Sequence, residues 1–320
     1  MKLRNTLVLM IGFWAAGLAM GAGTANYTSQ PPISTNQDNA PGLRSESVLV
    51  VDQETGTPLL EKNPTMQTPI ASITKLMTAV ITLDSRTPLD ERLTISKLDV
   101  DNLKHTRSRL AVGSTYTREQ LLNLALIASE NRAAHALGRT YPGGLEKFVE
   151  AMNRKARVLG MTNTFYVEPT GLSSSNQSTA EDLAKLVNYA YNNYPALREI
   201  TSTGEYSLGK QRVVVRSKSK KRRHASRRVY YRDVAFNNTN RLTRDDDWQI
   251  GLSKTGFINE AGHCLVMQAE IAQRKVIIVL LDSLGKYSRI GDANRIKRWL
   301  EESDLDDQPS TPPTPISRGT

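Results

Sequence analysis

QIGLSKTGFINEAGHCLVMQAEIAQRKVIIVLLD, residues 249–282, decides the fold. Three runs of strand length, Gln249–Gly256, Cys264–Ile271 and Lys275–Asp282, are separated by glycine or polar turns and read as successive strands. At the other end of the chain, Ser47-Val48-Leu49-Val50-Val51 is a further apolar strand. Asp52 to Gly56 supplies a turn and Pro58 to Glu61 the return, which makes a hairpin. Between these strand groups the apolar period changes. Ile73, Leu76, Met77, Val80 and Ile81 share one face of a helix over Ser72–Leu83. Thr117-Arg118-Glu119-Gln120 is a capping box opening a helix through Ile127. Further helices are expected over Asn131–Gly138, Leu145–Leu159 with Gly160 as the stop, and Thr179–Tyr191. Tyr287 to Glu301, with Ile290, Ala293, Ile296 and Leu300 on one stripe, closes the domain. The order implies an α+β fold: one antiparallel sheet built from both chain ends, flanking helices, and an inserted helical lobe. A ligand cleft is expected between lobe and sheet.

The chain has 320 residues. Lys2 and Arg4, the apolar run Leu7–Ala22, and small residues at Ala19-Met20-Gly21 or Gly23-Thr24-Ala25 form the layout of a secretory signal peptide. Residues 1–25 are therefore read as an export signal to the periplasm, with an uncleaved anchor as the alternative. Residues 26–45 read as a flexible leader, 46–303 as the catalytic domain, and 304–320 as a disordered tail rich in Pro, Ser and Asp. Cys264 is the only cysteine, so the chain has no internal disulfide. His105, His135, His224 and His263 are scattered without metal-ligand spacing, so no metal or other cofactor is expected. His135 and His263 read as packing or surface residues, and Cys264 as a small buried hydrophobe. The net charge of +10 suggests nucleic acid only until its distribution is seen. Lys210 to Arg232 contains 11 Lys and Arg and no acid, and the remainder is close to neutral. The stretch reads as a solvated hairpin loop, with Val213-Val214-Val215 and Val229-Tyr230-Tyr231 as strand ends. A docking role on an anionic wall polymer, lipid or acidic protein is the sharper reading.

Three short motifs carry chemistry. In Ser72-Ile73-Thr74-Lys75, helical spacing brings the amine to the hydroxyl, and a desolvated lysine crowded by another cation can serve as the base that serine needs. In Ser129-Glu130-Asn131, between two helices, a hydroxyl can relay a proton and an amide can bind substrate backbone. In Lys254-Thr255-Gly256, on a strand, a cation and a hydroxyl suit a carboxylate, and the glycine permits close approach. Each alone is weak, since such triplets recur by chance. Together and in this order they are the pattern shared by class A β-lactamases and penicillin-binding proteins.

With Tyr141-Pro142-Gly143-Gly144, Glu168-Pro169-Thr170-Gly171-Leu172, Phe257, Gly285-Lys286-Tyr287 and Asp292-Ala293-Asn294-Arg295, the chain resembles the low-molecular-mass penicillin-binding proteins over residues 46–301. Among them it is most similar to the D-alanyl-D-alanine endopeptidases. The resemblance implies a serine β-lactamase/DD-peptidase-like fold and catalysis by Ser72 as nucleophile, Lys75 as base and Ser129 as proton relay. It implies substrate binding by Asn131, Lys254, Thr255 and Gly256, and an oxyanion hole from the backbone N–H groups of Ser72 and Phe257, about 3 kcal/mol per donor. The implied substrate is a peptidoglycan peptide, with β-lactams as covalent inhibitors. Glu130 stands where many relatives have glycine, which favours the endopeptidase group, as does a chain ending without an amphipathic anchor.

Three alternatives stand against that reading. Carboxypeptidase activity would use the same motifs. A class A β-lactamase is resembled superficially by Glu168-Pro169, yet the Asn expected four residues later is Leu172. A non-catalytic wall-binding adaptor would need broken motifs, and all six positions are intact.

Overall fold

The computed structural model describes residues 40–217 and 226–306. The expected export signal, the expected leader up to residue 39, residues 218–225 of the basic stretch and the expected tail from 307 lie outside the described residues.

Strands β1 (Ser45–Asp52) and β2 (Pro58–Lys62) form the expected hairpin. A short strand β3 (Thr68–Pro69) leads through a 3-10 turn over Ala71–Ile73 into α1 (Thr74–Asp84). The lobe continues with β4 (Arg92–Thr94), a 3-10 turn over Lys97–Asp99, β5 (Thr115–Thr117), α2 (Arg118–Ile127), α3 (Asn131–Arg139) and α4 (Gly144–Val158). Next come β6 (Gln177–Ser178), α5 (Ala180–Asn193) and α6 (Pro195–Ser202), then a two-stranded ribbon of β7 (Glu205–Ser217) and β8 (Ser226–Asn237). Strands β9 (Gln249–Ile258), β10 (Gly262–Ile271) and β11 (Arg274–Ser283) precede the closing helix α7 (Ser288–Asp306).

The main sheet has the order β2-β1-β11-β10-β9 with every pair antiparallel, so the N-terminal hairpin joins the C-terminal strands along β1–β11. Alternation divides its side chains between two cores. Val48, Val50, Leu265, Met267, Ile278 and Leu280 pack with Ala293, Ile296 and Leu300 of α7. Leu49, Leu252, Cys264, Val266, Ile277 and Val279 face the helical lobe. The expected fold class is the observed one, and Cys264 is fully buried in the lobe-side core. Helix α1 runs through the middle of that core, with every residue from Thr74 to Thr82 buried.

The departures have local causes. Strand β1 begins at Ser45, the last residue of the expected leader, where Asp292 accepts hydrogen bonds from the Ser45 N–H (2.8 Å) and hydroxyl (2.6 Å). Helix α7 continues to Asp306, past the expected start of the tail at 304. Helix α6 was not among the expected elements; Pro195 sits in its first turn, where its missing N–H costs nothing. The basic stretch is more regular than a loop. Its valines lie inside paired strands, with Val213 opposite Tyr230 and Val214 opposite Val229, and pairing continues to Ser217 and Ser226. Among the described residues no helix is long and apolar enough to cross a membrane.

Candidate active site

Ser72 lies in the 3-10 turn that precedes α1, not in the α-helix itself. Two glycines shape that turn. Gly171 has φ +80°, and a Cβ there would stand 1.8 Å from the Ala71 carbonyl oxygen. A Cβ on Gly256 would meet the Ile70 carbonyl oxygen at 2.9 Å and the Ser72 nitrogen at 3.2 Å. Ala71 itself takes φ +47°, a left-handed conformation that an L-residue keeps only where its surroundings enforce it. Thus Gly256 uses its lack of a side chain to let β9 press against the Ser72 backbone.

One helical turn later, Lys75 is fully buried. Its Nζ donates to Asn131 Oδ1 (2.7 Å) and the Thr170 carbonyl (2.6 Å) and lies at hydrogen-bond distance from Ser72 Oγ (2.7 Å). Burial lowers its pKa from 10.5 to about 7, against the opposing pull of Glu168, Glu130 and Asp101. The crowding cation expected beside Lys75 bears instead on Lys254, whose pKa falls well below the lysine range through burial first, then the charges of Lys75 and Arg289.

Ser129 ends α2. It takes φ +57°, the left-handed position that glycine often fills after a helix, while the Glu130 N–H reaches the Leu124 carbonyl. This sharp exit directs Ser129 Oγ to Lys254 Nζ (3.0 Å) and lets Asn131 begin α3 facing Lys75. Lys254 Nζ also donates to the Thr255 carbonyl (2.9 Å), and the Thr255 hydroxyl donates to Thr239 Oγ1 (2.7 Å). Phe257 is half exposed and stacks on His263 at 4.3 Å between centroids. Arg289 donates to the Gly256 carbonyl (3.0 Å) and lies 3.0 Å from His263 Nδ1. His135 pairs with Asp99 at 2.8 Å, in the lobe and apart from these contacts.

The three motifs therefore form two hydrogen-bonded groups, Ser72–Lys75–Asn131 and Ser129–Lys254, coupled by the charge between the lysines. Sequence reasoning assigned no role to Thr170, Thr239, Thr106 or Arg289. The first acts through a backbone carbonyl, which any residue carries, and the others depend on tertiary neighbours. Only the left-handed demand on Gly171 could have drawn attention to the Thr170 segment. Glu168 is not aimed at Ser72. Its carboxylate accepts from Thr170 N (2.6 Å), Thr170 Oγ1 (2.5 Å), Gly171 N (2.6 Å) and Asn176 Nδ2 (3.0 Å), holding the loop that carries the Thr170 carbonyl. No group of three or more His, Cys, Asp or Glu suited to a metal ion occurs among the described residues.

Comparison with known proteins agrees with this arrangement. The chain is 45% identical over 302 residues to a D-alanyl-D-alanine endopeptidase of Pseudomonas aeruginosa, covering 93% of this chain and 89% of that protein. It is 42% identical over 295 residues to a D-alanyl-D-alanine endopeptidase of Escherichia coli, covering 92% and 86%. Among solved structures, a Streptomyces DD-transpeptidase superposes with a TM-score of 0.68 at 28% identity over 83% of this chain and 98% of that one. A Listeria monocytogenes penicillin-binding protein in its ampicillin-bound form gives 0.64 at 28% identity over 83% and 99%. A model of the D-alanyl-D-alanine carboxypeptidase family matches residues 34–285, and the chain belongs to that family of peptidases.

Proposed function

We propose that the chain is an exported serine D-alanyl-D-alanine endopeptidase that cuts D-alanyl–diaminopimelate cross-links of peptidoglycan through an acyl-enzyme on Ser72. The hydrogen-bond inventory of Lys75 carries the reading. Asn131 Oδ1 and the Thr170 carbonyl can only accept, so each takes an N–H from Nζ. A neutral amine has two N–H bonds and one lone pair. That lone pair is left for the third neighbour, the Ser72 hydroxyl at 2.7 Å.

Ser72 Oγ attacks the D-alanyl carbonyl as its proton passes to Lys75. The carbonyl oxygen becomes an oxyanion, received by the backbone N–H groups of Ser72 and Phe257. Collapse breaks the C–N bond, and the proton taken up by Lys75 passes to the leaving amine by way of the Ser129 hydroxyl, which Lys254 holds at 3.0 Å, leaving Lys75 neutral again. Water then releases the acyl group, and Lys75 accepts its proton in turn. Asn131 orients the substrate backbone, and Lys254 with Thr255 faces its carboxylate. β-Lactams acylate Ser72 by the same route and remain attached. The engagement of Glu168 by its own loop argues against a β-lactamase deacylation role.

The endopeptidase reading, as against carboxypeptidase, draws support from the names of the two relatives above 40% identity. Purified enzyme incubated with a cross-linked dimeric muropeptide and with an uncross-linked pentapeptide tests it: release of monomers from the dimer is expected, and activity on the pentapeptide alone would reassign the chain as a carboxypeptidase. Export by residues 1–25 to the periplasm completes the reading. The basic stretch is proposed to dock on an anionic wall polymer, since Lys210–Arg232 carries 11 cations in its sequence and its described flanks pair as two strands up to Ser217 and Ser226. Wall binding that is unchanged at low and high salt after deletion of 210–232 would reject that part.

A further inference from the structure

The Ser72–Lys75 pair is correct only if Asn131 presents its oxygen to Lys75. An amide turned over would offer an N–H to the Lys75 lone pair and compete with the serine hydroxyl for it. Which end of an amide faces which neighbour follows from the partners it meets, and the partner that decides here lies in the loop after Val100.

Asn131 Nδ2 donates to Thr106 Oγ1 at 2.9 Å. A hydroxyl has one proton, and that of Thr106 goes to Asp101 Oδ2 at 2.7 Å. With its proton committed, Thr106 can only accept toward Asn131, so the amide must present N–H to Thr106 and oxygen to Lys75. Asp101 has no freedom either. Its Oδ1 accepts from Leu103 N (2.8 Å) and Lys104 N (3.0 Å), and its Oδ2 also accepts from Thr106 N (2.8 Å). The loop is fixed at both sides of the cleft, through Thr106 to Asn131 on the lobe and through Lys104 Nζ to Glu260 at 2.5 Å in the turn after β9.

We infer that Asp101 and Thr106 are positioning residues for catalysis: the carboxylate commits the Thr106 proton, and the hydroxyl thereby locks the Asn131 amide with its oxygen on Lys75. The inference rests on Lys75 as the base that activates Ser72. Thr106 is exposed and Asp101 partly exposed, so substitutions there leave the buried core untouched.

The test compares wild type, Thr106→Val, Thr106→Ser and Asp101→Asn in acylation by a fluorescent penicillin from pH 5 to 9, with melting curves for each. Thr106→Val removes donor and acceptor at constant shape. It is expected to lower the acylation plateau roughly tenfold with an unchanged melting temperature, part of the loss of a general base. Thr106→Ser restores the hydroxyl and the rate. Both Thr106 variants keep the Asp101 charge and the pH midpoint. Asp101→Asn lowers the plateau as well, and because the carboxylate is one of the charges that raise the Lys75 pKa, with Glu168 and Glu130, its loss moves the acid limb to lower pH. Lys254, across the cleft on β9, keeps its charge environment in all variants. A Thr106→Val enzyme as fast as wild type, or a Thr106→Ser enzyme as slow as Thr106→Val, overturns the inference. Wild type that fails to acylate at all would overturn the proposed function instead.

Discussion

The rate of Ser72 acylation should follow the titration of Lys75. Its side chain is fully buried, and its pKa falls from 10.5 to about 7. That fall corresponds to about 5 kcal/mol of preference for the neutral amine. With an ordinary lysine, roughly one molecule in three thousand would hold a neutral amine at pH 7; here about half do. At pH 5 the neutral fraction falls to about one in a hundred, so acylation at pH 5 should be about a hundredfold below its plateau. Single-turnover acylation by a fluorescent penicillin, monitored in stopped flow from pH 5 to 9, reads this directly. A limb of unit slope with its midpoint near 7 is expected. A flat profile over that range, or a midpoint near 10, would refute burial as the source of the base.

The same lysine shapes stability. Since its folded pKa lies below its unfolded value, the unfolded chain binds the extra proton between about pH 7 and 10.5; stability therefore rises with pH from 7 upward, and the deficit is fully present below 7. Urea melts at pH 7 and 9 should show this rise, and Lys75→Met should reduce it, leaving the part that comes from Lys254, whose pKa is lowered as well. Gly171→Ala places a Cβ 1.8 Å from a backbone oxygen at φ +80°, with no flexible atom to yield. A loss of about 3 kcal/mol and of penicillin labelling is expected, measured by denaturant melts and gel fluorescence. Asp99 is buried, which would raise its pKa, but bonds from His135 and Arg139 hold it well below the usual carboxylate range. Its contribution is present above about pH 4 and disappears as acid titrates it. Asp99→Ala should cost about 2 kcal/mol at pH 7 in the same melts, less than a fully buried pair because both partners keep 23% of their side-chain surface.

The fold was legible where burial imposes a period. Strands β9, β10 and β11 lie within two residues of their expected bounds because the central sheet is buried on both faces and reads as apolar runs. The motif residues were legible because serine, lysine and asparagine at fixed spacings serve few other purposes together. The second layer was not. Thr106 and Thr239 are threonines in loops, and nothing local distinguishes them until Asn131 and Thr255 arrive from distant parts of the chain. Of the two causes expected for a lowered Lys75 pKa, desolvation is the one that acts, whereas the crowding cation bears on Lys254. Sequence can place two lysines in one site, but it cannot say which is screened by Glu168, Glu130 and Asp101 and which bears the repulsion.

The arrangement also explains why the proposed chemistry needs several elements at once. Ser72 in the 3-10 turn and Lys75 in α1 stand one helical turn apart, and on the proposed mechanism the pair is inert unless the lysine is neutral. Neutrality comes from burial, which requires α1 to be covered by the Thr170 segment and α3, while the acceptors that aim the lone pair come from the same two covers. Drawing α1 away from the Thr170 segment and α3 would therefore restore water to Lys75, raise its pKa and misdirect its lone pair at once. The left-handed Ala71 and Ser129 each stand beside a residue of the proposed site, so two of the strained backbone positions lie where a small opening would switch the base off.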